Sequence, residues 1–241
     1  LDFWHKARLE LQNVKPIFML AEAEEPDQRC CFESSYTWDL IHRLNQFALG
    51  KDSLSLFPKY ILQEKIKFGT ESMRLMFTSN HDENSWNGTE FERFNVFAQP
   101  FAVLTHTWFG MPLIYNGQEA AFGNRLKFFE KDQIDWNGYE LTDFYSKLNY
   151  LKHKNSALWN GKYGAWPETI LANDGFLMFK RSNEIHSCVV LFNLSKKRKE
   201  FTFPISVKGM YEIYLGHKVP FDVGDKIPLN PGEYMVFSSI Y

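Results

Sequence analysis

Met73-Arg74-Leu75-Met76-Phe77-Thr78-Ser79-Asn80-His81-Asp82-Glu83-Asn84-Ser85-Trp86 changes character in the middle. Its first five residues are an apolar run interrupted only by Arg74, and its second half is densely polar. A buried parallel strand looks like this when it delivers side chains to a site at its C-terminal end. His81, Asp82 and Glu83 combine a proton carrier with two carboxylates. Asn80 and Asn84 can hydrogen-bond hydroxyl-rich ligands, and Trp86 offers a flat face. A plain polar loop after a strand is the competing reading.

The same unit recurs on either side. Pro16–Ala21 is a short apolar run closing in Glu22, and Met111–Tyr115 closes in Asn116-Gly117-Gln118-Glu119. Helical patterns fill the intervals. Residues 1–15 carry Phe3, Trp4, Ala7, Leu11 and Val14 at helical spacing. Thr37 is placed to cap a helix over Trp38–Ala48, with Gly50 as its stop. Ser53–Ile66 reads as helical with an interruption near Pro58. Phe91–Phe109 reads as one long helix kinked at Pro100 and stopped by Gly110. Leu141–Trp159 is a further helix, and Cys30–Glu33 a short strand. Strand, polar tip and helix in repetition give the rhythm of a (β/α) barrel. Glu24 and Glu25 read as a solvated charge run, and Gln118 and Glu119 as braces for the loops.

From about Tyr163 the texture changes to short β-rich runs: Phe176–Arg181, Ser187–Asn193, Glu200–Phe203, Tyr211–Tyr214, Lys226–Leu229 and Tyr234–Phe237. Asn173-Asp174-Gly175, Gly209 and Pro231-Gly232 supply turns between them. These are the marks of an antiparallel β-sandwich, giving an expected division at 1–162 and 163–241.

Composition removes several functions. The 27 Lys+Arg and 29 Asp+Glu leave a net charge of -2, with no basic stripe for nucleic acid. No apolar run approaches the roughly 20 residues of a membrane span. Cys30, Cys31 and Cys188 have neither a disulfide framework nor metal-ligand spacing, so no metal is assigned. Aromatic residues make up 17 % of the chain, enough for a large core and for stacking surfaces.

The run Thr78-Ser79-Asn80-His81-Asp82-Glu83, the Ala21-Glu22 strand end and Met111–Glu119 together resemble the α-amylase family of glycoside hydrolases. Arg125–Trp136 and the terminal sandwich add to that resemblance, which covers nearly the whole chain. It implies an α/β fold: a partial (β/α)8 barrel, strands five to eight, followed by the β-sandwich. It implies that Glu22 is the general acid/base, kept protonated by an apolar wall and a neighbouring carboxylate. Asp82 is then the carboxylate that fixes sugar hydroxyls and stabilises the transition state. His81 and Asn80 are implied to bind the same sugar, with Trp86 a stacking candidate, and Trp38 and Tyr115 weaker ones. The implied substrate is an α-glucan, to be hydrolysed or transferred; loss of catalysis with sugar binding retained is the remaining alternative. The family's nucleophilic Asp stands in a G-x-R-x-D-like segment that has no counterpart here. Asp2 precedes Glu10 but lies in a helix start, so the chain is expected to begin after the nucleophile strand and to be inactive alone. No cofactor is implied for these residues; a structural calcium would belong to the absent part. An extracellular or periplasmic site is implied, although no signal peptide is visible. The cut edges of such a half-barrel are expected to recruit a second copy.

Overall fold

A computed structural model describes residues 1–136 and 138–241. Helix α1, Asp2–Val14, buries none of its side chains. Strand β1 is only Leu20–Ala21, shorter than the apolar run suggested. It is an edge strand, and just upstream the Glu33 side chain takes the Met19 N–H, at 2.8 Å, in place of a strand partner. Residues Pro26–Cys30 form a 3-10 turn started by the proline. The next strand, β2, is therefore Ser34–Tyr36 and not Cys30–Glu33. Helix α2, Trp38–Ala48, follows as expected. The Thr37 hydroxyl, however, donates to the Leu75 carbonyl at 2.8 Å instead of capping that helix. In α3, Leu56–Phe68, Pro58 sits in the first turn, where its missing N–H costs nothing.

Strand β3, Met73–Phe77, is followed by two helices where the sequence suggested one. Helix α4, Glu90–Phe94, has a Thr89–Glu92 capping box, and α5 covers Ala98–Thr107. The break lies at Asn95, whose φ is 51°, and Pro100 falls in the first turn of α5, so it makes no kink. Strand β4 is Met111–Leu113. A Cβ at the preceding Gly110 would stand 2.3 Å from the Arg74 carbonyl, so only glycine lets α5 turn back against β3. Helix α6, Thr142–Lys154, ends short of Trp159, because Asn155 turns its amide to Ser187 O and Ser238 Oγ of the β-region.

Strands β1 to β4 form one parallel sheet in sequence order. Ser35 pairs with Arg74, and Leu75 with Met111. Among the described residues, β1 and β4 are hydrogen-bonded on one side only. This is the expected partial barrel.

The remainder is antiparallel. Strands β5 (Glu168–Asn173), β6 (Phe176–Ser182), β7 (Ser187–Asn193), β9 (Tyr211–Glu212), β10 (His217–Lys218) and β12 (Tyr234–Ser238) build a six-stranded sheet. Strands β8 (Lys199–Thr202) and β11 (Lys226–Leu229) pair separately. The sheet has two greasy faces. One packs Met178, Val189 and Leu191 against Phe201 and Phe203 of the two-stranded layer. The other places Leu177, Phe179, Val190 and Phe192 in the same core as Phe57, Phe101 and Leu104 of the helices. Among the described residues, no helix is long and apolar enough to cross a membrane.

Arg74 is fully buried on β3. It donates to Glu24 at 2.6 Å and Glu64 at 3.0 Å and to Ser35 Oγ, and its guanidinium lies 3.7 Å from the centre of the Phe68 ring. Glu24 is thus half of a buried ion pair and no part of a solvated charge run. Burial raises the Glu24 and Glu64 carboxyls above their usual range, with Arg74 opposing it.

Two outcomes are expected. Arg74→Ala strands Glu64 without its cation and should cost about 3–5 kcal/mol in urea unfolding. His106 on α5 is 1 % exposed and faces Tyr145 and Lys152 of α6; burial lowers its pKa from 6.5 to about 4. The unfolded chain takes up this proton first. Stability from His106 is therefore full above pH 6.5 and lost as pH falls through about 4, ~3 kcal/mol in all. His106→Leu should flatten that part of the stability profile.

Candidate active site

Two strand ends build the site. Glu22 follows β1 directly. After β3 the chain runs through Thr78 and Ser79 into a wide helical turn at Glu83–Asn87. Asn80 starts that turn: its Oδ1 accepts from Glu83 N at 2.7 Å and its carbonyl from Asn84 N at 3.0 Å. His81 and Asp82 therefore occupy the first turn, on the Glu22 side. His81 Nε2 lies 3.9 Å from Glu22 Oε1 and 3.6 Å from Asp82 Oδ2. One ligating atom from each of the three residues falls within a 4.8 Å cluster.

The side chains of Glu22 and His81 are 48 % and 50 % exposed, and that of Asp82 36 %. The apolar wall expected around Glu22 is thus not made by the described residues. Asn80 is 1 % exposed; its Oδ1 is engaged by the turn, while its Nδ2 has no partner among the described residues. Trp38, at the start of α2, packs edge-on against Phe77 at 5.2 Å, stacks on His42 and lies against the core.

The platform beneath is braced from three elements. Arg93 of α4 donates to Thr78 O, to Gly88 O and to Asn45 Oδ1, and pairs with Glu83 at 3.3 Å. Gln118 accepts from Tyr115 N at 2.7 Å and donates to Thr78 Oγ1 at 2.9 Å and Glu90 Oε1 at 3.2 Å. It is thereby the loop brace its position suggested. Burial raises the Glu90 carboxyl above its usual range.

Three aromatic residues were not legible as site components. Tyr36 ends β2, between the strands that carry Glu22 and Asp82, and touches Phe77 at 5.4 Å. Its phenol is raised above its usual value by burial first, then by the charges of Glu22 and Asp82. Phe128 and Phe129 come from the loop after β4. Phe128 stacks on His81 with centroids 6.0 Å apart and meets Trp86 at 5.1 Å. A pair of phenylalanines between Lys127 and Glu130 was the one available signal, since apolar residues in a charged loop are rarely core.

The cluster brings two carboxyls and an imidazole together at a half-exposed surface. Its spacing would also suit a divalent cation, but half-exposed acidic groups assemble this way without one.

No family model matches the chain. It is 26 % identical over 196 residues to α-amylase 2 of Dictyoglomus thermophilum, covering 75 % of this chain and 33 % of that protein. A maltogenic α-amylase from Thermotoga neapolitana superposes with a TM-score of 0.81 at 20 % identity, covering 98 % of this chain and 58 % of that one. An α-amylase from Lactobacillus plantarum gives 0.81 at 17 % identity, covering 99 % and 60 %. The chain thus spans a third of the curated relative's length and about three fifths of the solved structures. It is similar to α-amylases in sequence and has their fold over nearly its whole length.

Asn80→Ala removes the acceptor for Glu83 N and should lower stability by about 1 kcal/mol in chemical denaturation, while Asn80→Asp keeps most of it.

Proposed function

We propose that the chain is part of a retaining glycoside hydrolase acting on α-glucans, with Glu22 as general acid/base and Asp82 as the carboxylate that holds sugar hydroxyls and favours the oxocarbenium-like transition state. The observation that carries this reading is the convergence of Glu22, His81 and Asp82, from two strand ends, within 4.8 Å. The likeness to α-amylases supports it. Residues 1–162 would be the catalytic barrel portion and 163–241 the supporting sandwich. Because the described residues bury the Glu22 side of the site only in part, the remaining walls would come from other strands. β1 and β4 are the seams where those strands would pair, contributed by another part of a longer protein or by a second copy of this chain.

Glu22 would protonate the leaving glycosidic oxygen and later deprotonate the water that attacks the glycosyl–enzyme bond. Asp82 and His81, side by side, would hold adjacent hydroxyls of the sugar whose bond is cut. A retaining mechanism needs a nucleophile and an acid with carboxyls about 5–5.5 Å apart. By distance alone Glu22 and Asp82 resemble such a pair. The resemblance, however, gives Asp82 the hydroxyl-binding role, and a separate nucleophile would come from outside these residues.

The purified chain should bind a malto-oligosaccharide, with His81→Ala and Asp82→Asn each weakening binding about tenfold or more in calorimetry. It should release no reducing sugar. Absence of binding that depends on His81 or Asp82 would overturn the α-glucan reading. Sugar release that disappears in Glu22→Gln would overturn the missing nucleophile and give that role to Asp82.

A further inference from the structure

We infer that Cys30 and Cys31 are a thiol–disulfide exchange site at the far end of the sheet from Glu22 and Asp82, and that closing a bond between them loosens helix α1. The two Sγ atoms lie 3.0 Å apart. Cys30 is exposed and Cys31 is 0 % exposed, so a reagent meets Cys30 first and Cys31 waits behind it. Cys30 opens on a recess of about 290 Å³, which Arg8, Arg29, Glu33, Glu71 and Ser72 line with it. Two cations face two carboxylates there, so the recess has no preferred sign of charge and admits a small neutral disulfide. Glu33 and Ser72 immediately precede β2 and β3. The recess therefore sits at the N-terminal ends of the two inner strands and not along the free edges of β1 and β4.

A small disulfide is the oxidant. The Cys30 thiolate attacks one of its sulfurs, and its S–S bond breaks to release one thiolate. Cys31 then attacks Cys30 Sγ of the mixed disulfide and expels the second. Two protein thiols are oxidised, the reagent is reduced to two thiols, and the two protons pass to them. Neighbouring Cα atoms stand about 3.8 Å apart, closer than the ~4.4 Å or more of an ordinary disulfide. The new bond therefore twists the peptide between the cysteines and stays easy to reduce. That twist reaches α1. The N–H of this peptide, Cys31 N, donates to Gln28 O at 3.0 Å, and the following carbonyl, Cys31 O, accepts from Arg8. Arg8 also pairs with Glu33, and Trp4 meets Phe32 at 5.3 Å. Helix α1 buries none of its side chains, so contacts at residues 31–33 carry much of its hold on the sheet.

Hydroxyethyl disulfide is the probe, read by intact mass and peptide mapping on the whole chain, Cys30→Ser and Cys31→Ala. Cys188 is 1 % exposed and serves as the internal control. The unaltered chain should lose two hydrogens from the peptide that holds both cysteines and regain them with excess dithiol. Cys31→Ala should stop at a single adduct on Cys30, and Cys30→Ser should not react. Amide hydrogens of residues 2–14 should exchange about fivefold faster in the oxidised chain. An adduct that persists on Cys30 of the unaltered chain overturns Cys31 as the resolving thiol. Reaction of Cys30→Ser at Cys31, or of Cys188 to the same extent, overturns Cys30 as the entry point, and no reaction at all overturns the site. A closed bond that leaves α1 exchange unchanged overturns the link to the helix.

Discussion

A single buried guanidinium sets the distance between the two strand ends that make the site. Arg74 lies on β3, and its partners come from the loop after β1, from β2 and from α3. A cation this deep is tolerated only if its attractions are well placed, because desolvation costs several kcal/mol. Glu24 is two residues beyond Glu22, and its second oxygen accepts from Asp39 N at 2.7 Å. The start of α2, the exit of β1 and the start of β3 are thereby tied at one point.

Behind it, the helices have no private core. Phe57, Phe101 and Leu104 share one buried cluster with Leu177, Val190 and Phe192 of the six-stranded sheet. The sheet thus acts as a wall against α3 and α5, and those helices in turn back the parallel strands. The second layer, β8 and β11, covers the sheet's outer face and keeps it from being an exposed apolar surface.

The fold was legible wherever one local pattern decided burial. The largely apolar run of β3, broken only by Arg74, and the amphipathic α2 stand at the residues their sequence suggests, because each is packed on a known side. What could not be read depended on distant partners. β1 shrank to two residues because only β2 pairs with it, and the break at Asn95 needs a backbone conformation that no periodicity announces. Glu24 looked solvated because its cation is fifty positions away in the chain. In the site, Glu22, His81 and Asp82 were readable as strand ends. Phe128 was not, because a loop residue gains its meaning only from the histidine it meets.

The chain passes from helices to sheet through residues 155–165, and two buried cations hold this crossing. Lys152 donates to Leu158 O at 2.9 Å, and Arg181 to the carbonyls of Leu158, Trp159 and Ala165. Burial lowers both, Arg181 to about 9, and yet the bonds they make are to backbone. The side chains of the crossing that face inward, Asn155, Ala157 and Leu158, are fully buried. Trp159, Lys162 and Tyr163 point to solvent, and Gly164, where a Cβ would meet Trp159 O at 1.8 Å, is fixed by space. Only the outward positions of the crossing tolerate change, so a reporter group or an affinity handle can be grafted at 162 or 163 without disturbing either half.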